Sequence, residues 1–155
     1  MNQDLHIRPA TSADLEILEE FQQGVIAYER TFAPNLKPDP IQYYDPRSFM
    51  DSEDAILLIG EIGDQVVGCG YADIRQNSDY KLHELYAYLG FMYVLPSHRG
   101  QGINGQILQS LIDWSREKGI KEIQLEVYSE NKSAIKAYAK KGFKPFIQNM
   151  ILSVE

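Results

Sequence analysis

Apolar positions along this chain recur at two periods, about 2 and about 3.6 residues, and the two alternate from end to end. Leu5 and Ile7 alternate in a short strand over 5–9. Leu15, Leu18, Phe21 (with Ile17), Val25 and Tyr28 then recur at helical spacing. Thr11 or Ser12 caps that helix, Asp14 and Glu16 sit where the dipole favours acids, and it should fade before Pro34. Pro34, Pro38 and Pro40 mark a loop, and a less regular helix over about 40–50 is interrupted by Pro46. Two β-rich stretches, 55–62 and 65–74, flank Gly63-Asp64 and predict an antiparallel hairpin. Within it Gly68 and Gly70 flank Cys69 and predict a bulge or close packing. A long strand follows over 85–95, then a helix carrying Ile103, Ile107, Leu108, Leu111 and Ile112 as far as Lys118, stopped by Gly119. Ile123, Leu125 and Val127 alternate in a strand over 122–128, Asn131 caps a short helix ended by Lys140-Lys141-Gly142, and 143–154 supplies one or two final strands. The order is that of a single α/β (mixed α+β) domain over 1–155, with an antiparallel first half and one central βαβ unit.

The bulk numbers leave this picture standing and narrow its chemistry. With 155 residues, 44% hydrophobic and 24% charged, the chain reads as an ordinary globular domain. No apolar run approaches the ~20 residues of a membrane span, and Met1-Asn-Gln-Asp4 lacks the basic-then-apolar order of a signal peptide. Cys69 stands alone and has no internal disulfide partner, so a cytoplasmic protein without membrane attachment is expected. A net charge of −7 argues against nucleic-acid binding. That total hides an asymmetry: residues 99–144 hold nine Lys/Arg against five Asp/Glu, so the rest of the chain carries −11. The basic half starts at the stretch that carries the chemistry.

That stretch is Gly90 to Leu108. An apolar strand is stopped by Pro96, a glycine-rich turn follows over 99–105, and a helix begins. Residues without a β-carbon let backbone N–H groups approach an anion, and a helix N-terminus adds its unsatisfied donors and positive dipole. Gly100-Gln-Gly-Ile-Asn-Gly105 spells the dinucleotide fingerprint, and Glu126 stands where a ribose-binding acid is expected. However, Pro96-Ser-His-Arg99 separates the strand from the first glycine, and too little chain follows Tyr128 for a doubly wound sheet. A nicotinamide-nucleotide oxidoreductase is therefore the weaker reading. No Gly-Lys-Ser/Thr is present for a nucleoside-triphosphate loop.

Val94-x-Pro-x-x-Arg99-Gly-x-Gly102-Ile103 with its apolar helix resembles motif A of the GCN5-related N-acetyltransferase (GNAT) family. Glu130-Asn131-Lys-Ser-Ala134-Ile-Lys-Ala-Tyr138-Ala-Lys-Lys-Gly142-Phe143 resembles its motif B, in the same order and separation, and Leu5-His-Ile-Arg-Pro-Ala10 resembles its opening strand. One departure is Asn104, where the family usually has Gly or Ala, with Gly105 one place later.

The resemblance implies a mostly antiparallel mixed sheet, splayed at the strand before the glycine turn and flanked by helices. It implies acetyl-CoA as acyl donor, no metal, and direct transfer of the acetyl group to an amine. The pyrophosphate of coenzyme A would lie on the amides of Arg99, Gly100, Gln101, Gly102, Ile103, Asn104 and Gly105, and the pantetheine along Met92, Tyr93 and Val94. Asn131 would reach coenzyme A, and Tyr138 would be the general acid for the departing thiolate. Tyr88 occupies the family's usual glutamate position on the strand before the turn; His83 and Glu84 lie slightly earlier, at the strand entrance, and of these Glu84 is the candidate base. Tyr28 and Tyr88, among several tyrosines, are candidate walls of the acceptor site, suited to cation–π contact. The acceptor is open between a small amine, an amino acid and a peptide or protein amine. A homodimer would be in keeping with the family, and a non-catalytic acyl-CoA-binding domain is the competing reading.

Overall fold

The computed structural model describes residues 4–154. Its elements are β1 (Leu5–Pro9), α1 (Leu15–Glu29), α2 (Pro46–Met50), β2 (Ala55–Ile62), β3 (Gln65–Gln76), β4 (Leu85–Val94), α3 (Ile103–Glu117), β5 (Ile123–Leu125) and α4 (Lys132–Lys140). They build one five-stranded sheet in the order β1-β2-β3-β4-β5, antiparallel as far as β4, with β5 parallel to β4.

Strand alternation sends side chains to two separate cores, one on each face. Leu57, Ile59, Cys69 and Tyr71 meet Leu18, Phe21 and Val25 of α1. Leu58, Val67, Ala72 and Leu89 meet Ile103, Ile107, Leu108 and Leu111 of α3. Each fully buried aliphatic or aromatic side chain there is worth about 1.5–3 kcal/mol. Cys69 is fully buried among them, and burial pushes its thiol well above the ordinary range, which fits a small core residue rather than a nucleophile.

The α1 stripe differs from the sequence expectation at its end. Ile26 is buried, whereas Tyr28 is 45% exposed. The second helix keeps only its last turn, with Pro46 at its first position, where the missing N–H costs nothing. Arg8 of β1 clamps the start of the domain: its guanidinium donates to both oxygens of Asp14 (2.9 and 3.0 Å) and to Glu61 (3.2 Å). Asp14 also accepts from the Thr11 N–H at 2.8 Å, so the clamp and the entry to α1 share one carboxylate.

The end of the chain departs from expectation. The strand over 122–128 shortens to Ile123–Leu125, and residues 143–154 form no strand. Among the described residues, no backbone hydrogen bond involves positions 144–154, although the apolar pattern is that of a strand.

Candidate active site

The site begins as a defect in β4. Opposite Gly70 of β3, β4 carries two residues, Phe91 and Met92, between the pairs Gly90↔Tyr71 and Tyr93↔Cys69. Phe91 takes φ +53°, a left-handed conformation that side chains rarely adopt and that a bulge can hold. The bulge expected near Gly68 and Gly70 is therefore present, and it bends β4 away from β5. β5 pairs with β4 only over Ala87–Leu89, so among the described residues the part of β4 after Gly90 has no strand on the side away from β3.

Which groups this open edge offers follows from alternation. The Leu95 N–H bonds to Val67 of β3 at 2.8 Å, and the Tyr93 carbonyl lies against Gly68 of the same strand. Val94 and Met92 accordingly turn their amides to the open side. The Val94 carbonyl on that side accepts from Arg99 Nε at 2.9 Å, which folds Arg99 back onto the strand end. Tyr93 packs its ring on Phe21 (centroids 4.9 Å apart) and against Gly24 of α1, where a β-carbon would meet the Tyr93 hydroxyl at 2.7 Å.

The glycine turn lies beyond this edge. Gly100 (φ +78°) and Gly102 (φ +80°) are left-handed, and a β-carbon at either would project into open space. Gly102 is the N-cap of α3, so Ile103, Asn104 and Gly105 form the first helical turn rather than part of the loop. Gln106 is the first residue whose N–H meets a helical acceptor. Among the described residues, the six amides of Gly100, Gln101, Gly102, Ile103, Asn104 and Gly105 donate to nothing. Unpaired donors of this kind at a helix N-terminus form an anion cradle. The Ile103 side chain belongs to the core, so its amide alone faces this function. Lys141 stands beside the cradle, with its side chain near Gly105 and bonded to Gln109 at 3.2 Å.

On the far side of the splay, Asn131 caps α4 and accepts from the Ala134 N–H at 3.3 Å. Tyr138 packs edge-on against Phe143 (6.0 Å), and its hydroxyl has no hydrogen-bond partner among the described residues. Burial, with Glu29 second, pushes the Tyr138 phenol up to about 12.

Glu29, at the end of α1, is the residue that sequence reading missed. Burial raises its carboxyl above the usual range, a hydrogen bond with Tyr43 opposing. It lies close enough to five phenols, those of Tyr43, Tyr44, Tyr88, Tyr128 and Tyr138, to hinder their ionisation. The Tyr43 hydroxyl is buried without an acceptor in full hydrogen-bond geometry, yet it sits beside Glu29 and Tyr128. Fully buried Gln22 holds this wall in place. Its Oε1 accepts from the N–H groups of Tyr43 and Tyr44 (the latter at 2.8 Å), and its Nε2 donates to the Tyr44 carbonyl at 3.2 Å. Gln22 and Glu29 fall on the buried stripe of α1 with Leu18, Val25 and Ile26, and a polar residue on an apolar stripe is the signal that could have found them.

Glu84 is not brought to this cluster. It lies exposed in the turn before β4, ten residues and about 30 Å of strand from Val94. Tyr88 is at the site, but the Arg75 guanidinium already covers its ring at 3.8 Å. Tyr28 stands at the rim against Phe32, which in turn stacks on Tyr128. No group of three or more His, Cys, Asp or Glu suited to a metal occurs among the described residues, and no helix there is long and apolar enough to cross a membrane.

Residues 21–143 match the model of the acetyltransferase (GNAT) family. The probable N-acetyltransferase camello of Xenopus laevis is 31% identical over 113 residues, 68% of this chain and 49% of that protein. The aminoglycoside N(6')-acetyltransferase type 1 of Stenotrophomonas maltophilia is 27% identical over 140 residues, 88% of this chain and 84% of that one. This chain's matches span about a quarter to a half of the length of the first curated relatives, camello included. In fold, it is similar to a predicted acetyltransferase from Clostridium acetobutylicum crystallised with acetyl-CoA. That likeness has a TM-score of 0.73 at 19% identity and covers 97% of this chain and 96% of that one.

Proposed function

This chain belongs to the acetyltransferase (GNAT) family, and from that premise we propose that it moves an acetyl group from acetyl-CoA to a primary amine by direct attack in a ternary complex. The observation that carries the reading is the run of six unpaired amides at the head of α3, continuous with the open edge of β4. Such a cradle fits a pyrophosphate, and such an edge fits the amides of a pantetheine arm. Bound there, acetyl-CoA would supply the activated thioester. Gly100–Gly105 would hold the pyrophosphate, Lys141 would add charge beside it, and the Asn131 side-chain amide is free to donate toward the same ligand. The Val94 or Met92 N–H would polarise the thioester carbonyl as a preorganised donor.

Net reaction moves one proton from the amine nitrogen to sulfur as the C–N bond forms and the C–S bond breaks. Glu29 draws the ammonium, takes one proton from it, directly or through water, to leave the neutral amine that attacks, and afterwards releases that proton to solvent. A raised carboxyl pKa makes it a better base than a surface glutamate. Tyr138 hydrogen-bonds the departing sulfur. At about 12, the phenol lies some 3–4 pKa units above an ordinary thiol, so full transfer is uphill and stabilisation of developing charge is its larger role. The phenol that does release its proton regains it from the amine. Glu29 therefore takes the place of Glu84 as the candidate base. The acceptor class favoured by one half-buried carboxylate among tyrosines is a small cationic amine, in keeping with the aminoglycoside acetyltransferase among the relatives.

Thermal-shift titration tests the donor site, because a ligand that binds only the native state raises its stability. Coenzyme A is expected to raise Tm and NAD to leave it unchanged. Stabilisation by NAD and none by coenzyme A contradicts the reading.

A further inference from the structure

A bulge leaves its extra residue without ladder partners, and a left-handed residue with a side chain persists only where its surroundings over-determine it. Phe91 is that residue, at φ +53° and opposite Gly70. Side chains meet its backbone at both ends. The Cys69 thiol donates to the Phe91 carbonyl at 3.4 Å, and burial keeps that thiol protonated. The Tyr44 hydroxyl lies at the Phe91 backbone. Burial raises this phenol, and its hydrogen bond with the Phe91 backbone opposes the rise, which a donated N–H does and a carbonyl would not. The Tyr44 ring also stacks on the Phe91 ring, with centroids 4.7 Å apart.

These contacts are themselves anchored. Tyr44 is fixed to α1, since its N–H and its carbonyl both pair with buried Gln22. On the other face of the sheet, Met92 lies over Gly70, where a β-carbon would come within 2.6 Å of Met92 Sδ. The Phe91–Met92 peptide is thus seated from both faces. That seat reaches the donor edge through covalent geometry. The Phe91 carbonyl and the Met92 N–H belong to one planar trans peptide and point in opposite directions. A carbonyl held toward Cys69 on β3 therefore aims the Met92 N–H at the open side of β4.

We propose that Tyr44 and Cys69 are positioning residues for acetyl transfer: by fixing the Phe91–Met92 peptide they hold the Met92 N–H in line with the thioester carbonyl. This role rests on the donor reading of the β4 edge given above. It gives Tyr44 a task besides that of acceptor wall, and it gives the lone thiol a task besides filling space. The acceptor wall, held by Gln22, thereby supports through one peptide the amide that faces the donor. A thiol is a weak donor, so Tyr44 carries the larger share.

Wild type is compared with Tyr44→Phe, which keeps the stacked ring, and with Cys69→Ala. Each binds acetyl-CoA isotope-labelled at the thioester carbonyl; affinity is read by titration and the carbonyl stretch by difference infrared spectroscopy. In wild type the band is expected below that of free acetyl-CoA, as a donated N–H weakens the C=O bond. Both variants are expected to bind acetyl-CoA within about twofold of wild type, because the cradle is untouched. Both should return the band toward its free position, Tyr44→Phe further than Cys69→Ala. For thiol release, kcat is expected to fall about tenfold in Tyr44→Phe, a fraction of the about 10²–10³-fold that loss of an oxyanion donor costs. A lowered Tm with an unmoved band and an unchanged kcat makes both residues purely structural and overturns the proposal. Absence of acetyl-CoA binding by wild type overturns the donor reading beneath it, whereas binding with one band position in all three proteins overturns this proposal alone.

Discussion

Single residues at the centre of the site carry opposed demands. The Tyr138 hydroxyl lies free and protonated, and acid–base groups of this kind contribute about 10²–10⁴-fold. Tyr138→Phe is expected to lower kcat about 10²-fold while leaving acetyl-CoA affinity nearly unchanged, as measured by steady-state rates beside a binding titration. Glu29 is costly to the fold. Its carboxyl pKa is raised in the native state, so its ionised form is disfavoured there, and the penalty is present at every pH above its unfolded value of ~4.3. Glu29→Gln removes that penalty, and Tm at pH 7.5 is expected to rise while kcat/KM for the amine falls at least tenfold. A fall in both would make Glu29 a purely structural residue. Burial raises the carboxyl, so activity should also be lost as pH falls through its raised pKa.

Elements differ in how far the sequence foretells them. α3, the glycine turn and α4 are legible because local signals suffice: apolar periodicity, glycines at left-handed positions and an Asn cap. Gly68 and Gly70 signalled a bulge or close packing, and both glycines are closely packed, but the extra residue lies on β4 opposite Gly70, where the strained residue, Phe91, gives no sign of itself. Tyr43 and Tyr44 were legible as wall aromatics, but how residues 41–45 are held was not, because Gln22, twenty-one residues away, holds them by pairing with the backbone as a strand would. Gln22→Leu keeps the helix but leaves two buried amides unpaired, at a cost of about 2–4 kcal/mol. Chemical denaturation should register that loss. KM for the amine is expected to rise several-fold while acetyl-CoA affinity stays the same, since the cradle lies on another element. The C-terminal segment, expected to supply one or two strands, forms none among the described residues, because an apolar pattern states what a segment would bury as a strand and not whether an edge is there to pair with it.

At the scale of the whole molecule, the two halves of the candidate site are held by separate cores, the α1 face for the proposed acceptor side and the α3 face for the proposed donor side. Arg8 ties β1 to both Asp14 and β2, and its hydrogen bonds hold the Asp14 carboxyl below its ordinary value. A depressed carboxylate contributes stability that is complete above its unfolded pKa of ~3.9 and is lost as pH falls through the lower native value. Denaturation at pH 7 and at pH 3 is therefore expected to separate wild type from Asp14→Asn by about 2 kcal/mol at the first and by much less at the second. The charge asymmetry read from sequence has a counterpart in the fold: the basic half, 99–144, carries the cradle and α4, while Glu29 comes from the acidic half. On the proposed reading, a polyanionic donor and a cationic acceptor would meet opposite fields. The most direct test of acetyl transfer is thiol release from acetyl-CoA across a panel of polyamines, aminoglycosides, amino acids and peptides, with product masses recorded. Release that depends on a small cationic amine, with a 42 Da gain on that amine (about one acetyl group) and its loss in Tyr138→Phe and Glu29→Gln, is the predicted result. Tight acetyl-CoA binding with no amine in any class acetylated would contradict it and leave a domain that binds the donor without using it.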